Sequence, residues 1–362
     1  MKVAVVILNY NGEHHLRRFL PSVVEGSEGA DVVVVDNGST DGSLQLLQSE
    51  FTSVKTIIFD KNYGFAEGYN RALTALDGYD YCVLLNSDVQ TPKGWLTPLV
   101  EVLNADNTVA VVAPKIMSVV EPTKFEYAGA AGGFIDYLGY PFCRGRILST
   151  TEVDEGQYND MRETFWVGGA AFCIRRELYL SLGGLCGEFF AHMEEIDLCW
   201  RLQLAGWKIM VEPRSTVYHL GGGTLQANSP RKIFLNHRNN LAMLYRCAPP
   251  LQRAVVAVVR PVLDLAAALS YALKGDKEGA KAVFAAWRDF IHWHSRLAAE
   301  RKEIRGAAVC ESRYIYKGMI VLRYLLGKRK FEKMMEYEKT CNYSDLSREG
   351  ECLGYDRQGS LA

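Results

Sequence analysis

Three carboxylates crowd into four residues, at Glu194, Glu195 and Asp197 in the segment FFAHMEEIDLCWR. Large apolar residues follow them, with Arg201 among these. Carboxylates this close repel one another, so at least one is expected to have a raised pKa and to be able to act as a general base. The same residues could instead complement the dipole of a first helical turn. The cluster alone does not decide between the two interpretations.

Five runs rich in Val and Ile predict buried strands in the first 115 residues, with helix-like stretches between them. The runs lack polar alternation, as strands covered on both faces do. This order predicts an α/β fold with a mostly parallel, doubly wound sheet and helices on both faces. The predicted strands are 3–9, 32–36, 54–59, 81–86 and 109–114, and the predicted helices are 13–25, 41–50, 65–77 and 93–104.

Polar clusters lie at the carboxyl ends of these strands, where such sheets bind ligands. Asp36 could accept from a base N–H or a ribose hydroxyl, or form a turn before the helix near Asp41. Asp88 could hold a divalent cation that bridges phosphates, or form a turn before Pro92. The clusters are Asn9-Tyr10-Asn11, Asp36 to Asp41, Asn62-Tyr63-Gly64-Phe65 and Asn86-Ser87-Asp88.

The pattern changes after residue 117. Residues 118–163 are rich in glycine and aromatic residues and predict a loop-rich insertion. A strand candidate at 164–174 is interrupted by Gly168-Gly169, and a helix at 194–206 and a short strand WKIMVEP follow. His219 then precedes three glycines. A lone histidine is either structural or a ligand, and its place downstream of the acidic helix keeps both interpretations open.

Composition limits the class of protein. The chain has 362 residues, 48% of them hydrophobic, enough to bury the core of one large domain or two smaller ones. Nine cysteines are scattered without a CxxC pair, the pattern of reduced thiols in a cytosolic protein. The N-terminal run MKVAVVILNYNG is too short, and has the wrong flank, for a signal peptide.

A net charge of −1 hides a strong asymmetry. Residues 1–230 carry 17 Lys/Arg and 28 Asp/Glu, a net charge of −11. Residues 231–334 carry 21 and 8, a net charge of +13, and residues 335–362 carry 3 and 6, a net charge of −3. A basic block behind an acidic one favours an anionic partner for the C-terminal part.

The chain is predicted to be helical from residue 231 onward, and residues 253–273 form its most apolar window. Arg260, Pro261 and Asp264 interrupt this window, which argues against a transmembrane span. Three interpretations remain: helices packed on the N-terminal domain, oligomerisation, or a helix in the membrane interface with nearby Lys/Arg attracted to anionic lipid. The segment RYLLGKRKFEK at 323–333 repeats the apolar and basic pattern.

The order of these motifs resembles the family 2 glycosyltransferases, within them the bacterial rhamnosyltransferase-like and galactofuranosyltransferase-like enzymes of surface polysaccharide synthesis. The resemblance covers roughly residues 1–245 and implies a GT-A fold, a Rossmann-like sheet. It also implies inverting transfer of a sugar from a nucleotide-diphosphate sugar to an acceptor hydroxyl. The segments that carry it are VILNYNG, VVVVDNGSTDG, NYGFAEGYN, LLNSDV, WVGGAAFCIRRE, GGLCGEFFAHMEEIDLCWRLQLAGWKI and VYHLGGG.

The resemblance also implies roles for single residues. Asp88 is implied to bind Mg²⁺ or Mn²⁺, with His219 completing the coordination. Glu195 matches the usual base, with Glu194 and Asp197 beside it. The residues implied to lie at the donor nucleotide are Asn9, Tyr10, Asn11, Asp36, Asn62, Gly64, Asn86 and Ser87. Those expected to shape the sugar or acceptor pocket are Trp166, Gly168 and Gly169, and Arg238 and Asn239 match a pair that lies near the phosphates.

Three departures from the family pattern matter. The DxD-type motif reads Asn86-Ser87-Asp88, so it offers one carboxylate, and a cation there depends on the donor diphosphate, His219 and water. The usual aspartate base is Glu195, one methylene longer, which leaves Asp197 as a competing candidate. Cys186 replaces an aspartate that is frequent in the family, and only a packing consequence is expected.

The sequence therefore predicts a glycosyltransferase domain at 1–245 and a helical region at 246–362. The protein is expected to be cytoplasmic, without a nucleic-acid partner, and to contact the inner face of the cytoplasmic membrane or to form homo-oligomers. Its acceptor is expected to be a growing, lipid-linked surface glycan. Two other classes are weighed. A non-catalytic nucleotide-sugar-binding module would not need the acidic cluster together with Asp88, and a nucleotidyltransferase would show a basic, Gly-rich loop where the chain has NYNGEH.

Overall fold

A computed structural model describes residues 1–221 and 229–340, the last four by their backbone alone. The strands are β1 (Val3–Asn9), β2 (Asp31–Asp36), β3 (Lys55–Ile58), β4 (Tyr81–Asn86), β5 (Val89–Gln90), β6 (Val109–Ser118), β7 (Gly133–Asp136), β8 (Pro141–Cys143), β9 (Arg146–Ile147), β10 (Thr150–Thr151), β11 (Arg162–Glu163), β12 (Ala171–Arg175), β13 (Lys208–His219) and β14 (Ile315–Tyr316). The helices are α1 (Glu13–Gly26), α2 (Ser43–Glu50), α3 (Gly64–Ala75), α4 (Leu96–Ala105), α5 (Arg176–Ser181), α6 (Glu194–Leu204), α7 (Pro230–Cys247), α8 (Pro250–Leu273), α9 (Lys277–His292), α10 (His294–Gly306), α11 (Ile320–Leu325) and α12 (Phe331–Thr340). A short 3-10 turn lies at Gly187–Phe189.

The main sheet has the order β11-β13-β6-β12-β4-β1-β2-β3, with β5 pairing on β13. The five predicted N-terminal strands are confirmed. Strands β1 to β4 pair in parallel, and so do β6 and β13. However, β12 runs antiparallel to both β4 and β6, so the sheet is mixed. A long excursion, not a single crossover helix, joins β6 to β12, and it brings the chain back in the opposite direction.

Two hydrophobic cores cover the two faces of this sheet. Successive residues of β1 alternate between them, since side chains of a strand point to opposite faces: Ala4 and Val6 join one core, and Val5 and Ile7 the other. Helices α1, α2 and α4 cover the second face, whereas α3, α5 and α6 cover the first. The predicted doubly wound arrangement is therefore confirmed, and all strand ends that carry the polar clusters open at one edge.

The predicted loop-rich insertion is wrong in one respect, because residues 133–151 build a second sheet. Its order is β10-β9-β8-β7-β14, and β14 comes from residues far along the chain. Its strands hold two to four residues each, too short for a readable alternation. Phe134 and Phe142 nevertheless bury their rings against Phe331 of α12, and this packing holds the small sheet together.

The C-terminal part is helical, as predicted. Helix α7 packs on α9 and α10, and α8 and α9 form a hairpin. Helix α7 runs from Pro230 to Cys247, across the predicted division near residue 245, and that division stays a prediction. Among the described helices, α8 alone has the length and apolar composition that crossing a membrane needs.

Candidate active site

The ends of β1 and β2 form one polar cluster. Asp36 is fully buried; its Oδ2 accepts from Asn9 Nδ2 at 3.1 Å and its Oδ1 from the Ser39 backbone N–H at 2.9 Å. The turn predicted as an alternative for Asp36 therefore forms. Asp41 accepts from the Ser43 N–H at 3.0 Å, at the start of α2. Asn11, in a left-handed conformation (φ 49°), accepts from the Thr40 N–H at 2.7 Å and ties the two loops together.

The loop before α3 packs against the loop that carries the acidic cluster. Asn37 donates to Asn62 Oδ1 at 3.1 Å and to the Gly64 carbonyl at 3.0 Å. Gly64 has φ +81°, and a Cβ there would lie 2.5 Å from the Phe190 ring, so only glycine fits. The Phe65 N–H donates to the Phe190 carbonyl at 2.8 Å. The start of α3 and the loop before the acidic cluster, 130 residues apart in the sequence, are thus in direct contact.

Asp88 and His219 meet because β5 pairs with the end of β13, with Val89 opposite His219. His219 Nε2 lies 3.1 Å from Asp88 Oδ1, and its Nδ1 lies 3.4 Å from Glu126 Oε2. Burial opposes the charged imidazole, but contacts with the two carboxylates outweigh it and raise the pKa of His219 to about 10. Burial likewise works against ionised Asp88, yet the His219 contacts lower its pKa.

Glu126 was not singled out by sequence, since it lies in the insertion without a motif around it. Its position behind His219 is that of a carboxylate that orients a ligand histidine. Asp88 and His219 place a carboxylate oxygen and a ring nitrogen side by side. A Mg²⁺ or Mn²⁺ ion bound there would have to displace the proton from His219 Nε2, and phosphate oxygens and water would complete its coordination. Within residues 1–221 and 229–340, no three His, Cys, Asp or Glu side chains are arranged as a complete metal site.

The acidic helix begins after a strained loop. Phe190, His192 and Met193 all have left-handed backbones, with φ of 65°, 71° and 71°. Such conformations cost energy in residues with a Cβ and persist where other contacts impose them. Asn239 of α7 imposes this one: its side-chain amide lies 3.0, 2.9 and 2.8 Å from the carbonyls of Phe189, Ala191 and His192. Asn239 therefore acts as a scaffold for the loop.

Arg238, its neighbour, has a similar scaffolding position. Its guanidinium donates to the Glu188 carbonyl at 3.0 Å and lies over the Trp293 ring. The pair Arg238-Asn239 was expected near the phosphates. Both side chains instead bond to the backbone of the loop before the acidic helix, because that strained loop has carbonyls that no helix or strand satisfies.

Glu195 lies in the first turn of α6 and is partly exposed. It lies beside Gly169, in the glycine pair that precedes β12. Burial of the carboxyl raises its pKa to about 7, although the Gly169 backbone N–H donates to it. Its Oε2 has no hydrogen-bond partner among the described residues. Glu194 is more deeply buried; burial and the neighbouring Glu195 charge raise its pKa well above the usual range. One carboxyl of the cluster is therefore poised to exchange a proton near neutral pH.

Asp197 is different, because it has no exposed surface and is held by two arginines. Its Oδ2 accepts from Arg201 Nε at 2.8 Å, and its Oδ1 lies 3.2 Å from Arg246 Nη1. Arg201 also donates to the carbonyls of Leu182 and Gly184, at 2.7 and 2.6 Å. The geometry argues against Asp197, the competing candidate, as a base, because no acceptor can reach it and both of its oxygens face arginines. Arg246 carries no sequence signal for this contact.

Trp166 does not line the cleft. It is 3% exposed, its Nε1 donates to the Phe134 carbonyl at 2.9 Å, and its ring fills the space that a side chain at Gly133 would occupy. The expectation that Trp166 shapes the sugar or acceptor pocket is at odds with this packing: a buried indole N–H needs an acceptor, and it finds one in the small sheet. Gly169 does lie next to Glu195, whereas Gly168 lies against the backbone of Ala128.

These two glycines allow a matched test. A Cβ at Gly168 would overlap the Ala128 carbonyl, whereas at Gly169 the nearest atoms are Phe65 Cζ at 3.6 Å and Glu195 Cδ at 3.7 Å. We expect Gly168→Ala to lower the free energy of unfolding by about 1–3 kcal/mol. Gly169→Ala should change it by no more than about 0.5 kcal/mol. Urea denaturation measures both changes. Equal losses of stability in the two variants would contradict the difference in packing between Gly168 and Gly169.

The chain is similar in sequence to known glycosyltransferases. The model of the glycosyl transferase family 2 matches residues 4–178. The N-acetylglucosaminyl-diphospho-decaprenol L-rhamnosyltransferase of Mycobacterium tuberculosis is 28% identical over 258 residues, 66% of this chain and 83% of that protein. The pre-mycofactocin glycosyltransferase of the same species is 30% identical over 240 residues, 64% of this chain and 45% of that protein.

Solved structures show the same fold. GalNAc-T7, crystallised with UDP, GalNAc and Mn²⁺, superposes with a TM-score of 0.57 and 19% identity, over 72% of this chain and 50% of that one. Staphylococcus aureus TarS 1-349, in complex with UDP-GlcNAc, superposes with a TM-score of 0.53 and 16% identity, over 85% and 87%. Residues 4–178 therefore form a glycosyltransferase family 2 domain, and the chain has the GT-A fold and is similar to rhamnosyltransferases.

Proposed function

We propose that this glycosyltransferase moves a sugar, with inversion, from a nucleotide-diphosphate sugar of the dTDP-rhamnose or UDP-hexose class to a hydroxyl of a growing, lipid-linked surface glycan. The observation that carries the proposal is the Glu195 carboxyl, which has a pKa raised to about 7 and an unpartnered oxygen. Glu195 and Phe65, which follows Gly64 in α3, both lie beside Gly169, and Asn37, next to Asp36, donates to the Gly64 carbonyl. The likeness to a rhamnosyltransferase supports the donor and acceptor classes.

In the proposed reaction, Glu195 takes the proton from the acceptor hydroxyl as that oxygen attacks the anomeric carbon. The bond from that carbon to the diphosphate breaks, and the nucleoside diphosphate leaves with the electron pair. A base with a pKa near the working pH combines a useful ionised fraction with a strong pull on the proton. Glu194, beside it, keeps the local charge low as long as it stays protonated.

The donor would lie across the strand ends. Asn9, Asp36 and Asn62 would face its base and ribose, and the N-terminus of α3 at Gly64 would face a phosphate. Tyr10 is 46% exposed at the rim, available to cover the nucleotide. Asp88 and His219 would hold Mg²⁺ or Mn²⁺, whose charge would offset the negative charge that develops on the leaving diphosphate.

Thermal unfolding tests the donor and cation site together. With Mn²⁺ and a matching UDP- or dTDP-sugar at about 100 times its Kd, the folded state should gain about 2.7 kcal/mol. Asp88→Asn should remove the part of this gain that depends on Mn²⁺, whereas Asp77→Asn, at an exposed carboxylate, should retain it. If Asp88→Asn kept the full Mn²⁺-dependent gain, Asp88 would not be a ligand.

A donor-hydrolysis assay with Mn²⁺ separates the enzyme from a nucleotide-sugar-binding module. Turnover of a nucleotide sugar by the wild-type protein, lost in a base variant, supports transfer chemistry. Binding without turnover would favour the module. Formation of a nucleotide sugar from a nucleoside triphosphate and a sugar phosphate would favour the nucleotidyltransferase.

The remaining part of the proposal concerns where the protein works. A lipid-linked acceptor fits a cytoplasmic enzyme that contacts the inner face of the membrane through its basic C-terminal helices. Residues 231–334, with a net charge of +13, support such a contact. Self-association through the same helices is the alternative, and sedimentation of the wild-type chain distinguishes them.

A further inference from the structure

Helix α8 exposes its apolar residues and buries its charged residues Arg260 and Asp264. Along its 24 residues, all of them described, the exposed positions carry no charged side chain. Leu251, Val258, Val262 and Leu269 are 74, 72, 66 and 55% exposed, and Leu273 at the end of the helix is 89% exposed. Their spacing of seven, four, seven and four residues places them on one face. The soluble pattern, apolar inside and polar outside, is therefore reversed.

The polar residues of α8 point into the protein. Arg260 and Asp264, both 2% exposed or less, lie 3.3 Å apart. Arg260 also donates to the Leu138 carbonyl at 2.9 Å and to Asn240 Oδ1, and Trp287 Nε1 donates to Asp264 at 3.0 Å. The charges that break up the apolar window in the sequence thus leave the outer face intact. These buried contacts also hold the helix against the rest of the protein, and a helix that crossed a membrane would lose them.

We propose that α8 lies flat in the interface of an anionic lipid bilayer, with its outer face among the upper acyl chains. A helix with one apolar face and basic neighbours binds membranes in this way. The basic neighbours are present, because Lys274 and Lys277 are exposed at the turn between α8 and α9. Lys281 follows one turn later and pairs with Glu278 at 2.8 Å. This inference rests on the proposed function, in which the acceptor is lipid-linked.

Charge decides between lipid and a second copy of the chain. In a symmetric pair the same patch meets itself. Two blocks with a net charge of +13 would then face each other and repel. The same charge is attracted by anionic headgroups. A second exposed apolar group, Leu322, Leu325 and Leu326, lies on α11 and directly after it. The N–H of Ile320, the first residue of α11, donates to Asp136, and Arg260 of α8 donates to the Leu138 carbonyl two residues further along the same turn.

The inner side of α8 is joined to the active site through two adjacent residues of α7. Asn240 accepts from Arg260 of α8, and Asn239 holds the loop before Glu195. Docking α8 on a bilayer would therefore fix the acidic cluster close to the membrane surface. An acceptor whose lipid stays in the bilayer could then present its sugar hydroxyl to Glu195 without leaving the membrane.

Vesicle flotation of the full chain tests the proposal, with phosphatidylglycerol-containing vesicles against pure phosphatidylcholine, and neither donor nor acceptor present. The wild type should float with the anionic vesicles and less so as salt rises. Val262→Asp/Leu269→Asp should reduce the bound fraction about tenfold or more. Met161→Asp, at an equally exposed residue (52%) next to the edge strand β11, should bind as the wild type does.

Circular dichroism and donor-induced thermal shifts of the same variants separate the outcomes. Weak flotation with an intact fold and an intact donor shift confirms α8 as the docking face. Unchanged flotation of the double variant overturns it. So does a wild type that ignores vesicles but sediments as a dimer that the double variant dissociates. A wild type that floats but shows no donor shift would keep the docking face and contradict the proposed function.

Discussion

Replacing Glu195 by glutamine is expected to lower kcat by about 10²- to 10⁴-fold, the usual contribution of a general base. The amide is isosteric and cannot take the acceptor proton. Because ionised Glu195 is the active form and its pKa is raised to about 7, the wild-type rate should rise with pH through neutrality and level off above it. Steady-state transfer from pH 5.5 to 9 measures both effects. Glu177→Gln, at an exposed position of α5, is the control.

The same substitution should stabilise the protein at alkaline pH. A carboxyl whose pKa is higher in the folded than in the unfolded state binds its proton more tightly when folded. Its contribution to stability is present below the unfolded value of about 4.5 and is lost as pH rises through about 7. Glu195→Gln should therefore raise the free energy of unfolding by about 1–3 kcal/mol at pH 8 and hardly change it at pH 4.5.

Near-full transfer by a folded Glu195→Gln protein would exclude Glu195 as the base and turn attention to Glu194. Loss of activity without the alkaline stabilisation would mean that burial does not raise the pKa of Glu195, and the pH profile would then have another origin. Urea denaturation at the two pH values decides this independently of any substrate.

Replacing Asp197 by asparagine should cost about 3–5 kcal/mol of stability, because it leaves the buried guanidinium of Arg201 without an anion and that of Arg246 with Glu300 alone. Arg201 and Arg246 are 6% and 7% exposed. Chemical denaturation measures the loss, and soluble yield should fall with it. Asp77→Asn is the control, since Asp77 also pairs with an arginine, Arg176, but is 95% exposed. That variant should lose no more than about 1 kcal/mol.

Activity separates the two carboxylates. The fraction of Asp197→Asn protein that remains folded at low temperature should retain measurable transfer, because Glu195 is still present. A variant at Asp197 that is as stable as the wild type but inactive would reverse the two roles. The two predictions therefore have opposite signs in stability, which a single denaturation series can show.

The sequence predicts the sheet well where strands are wholly apolar. The runs at 3–9 and 81–86 match β1 and β4 because strands buried on both faces need no polar residues. The small sheet is missed because its strands are too short to show a pattern. The order of the motifs also predicts that Asp36, Asp88 and the acidic helix share one edge of the sheet.

Other features depend on contacts that no local pattern contains. Asp197 and Glu195 are two residues apart on one helix, yet Arg246 and Arg201 set the first apart as structural. Trp166 sits in a motif but packs away from the cleft. For α8, periodicity shows that one face is apolar and another polar. It does not show which of the two faces the protein, because soluble and membrane-surface helices have the same period.

The hydrogen bonds from Asn239 to the loop before Glu195 have a consequence for synthesis on the ribosome. A nascent chain that has released residues 1–221 already carries every sequence motif that contains a carboxylate of the site. Its acidic loop still lacks the amide that holds three carbonyls in a left-handed path, and Asp197 still lacks Arg246. The enzyme would therefore gain its competence late in translation, only after α7 has emerged and packed against the acidic helix.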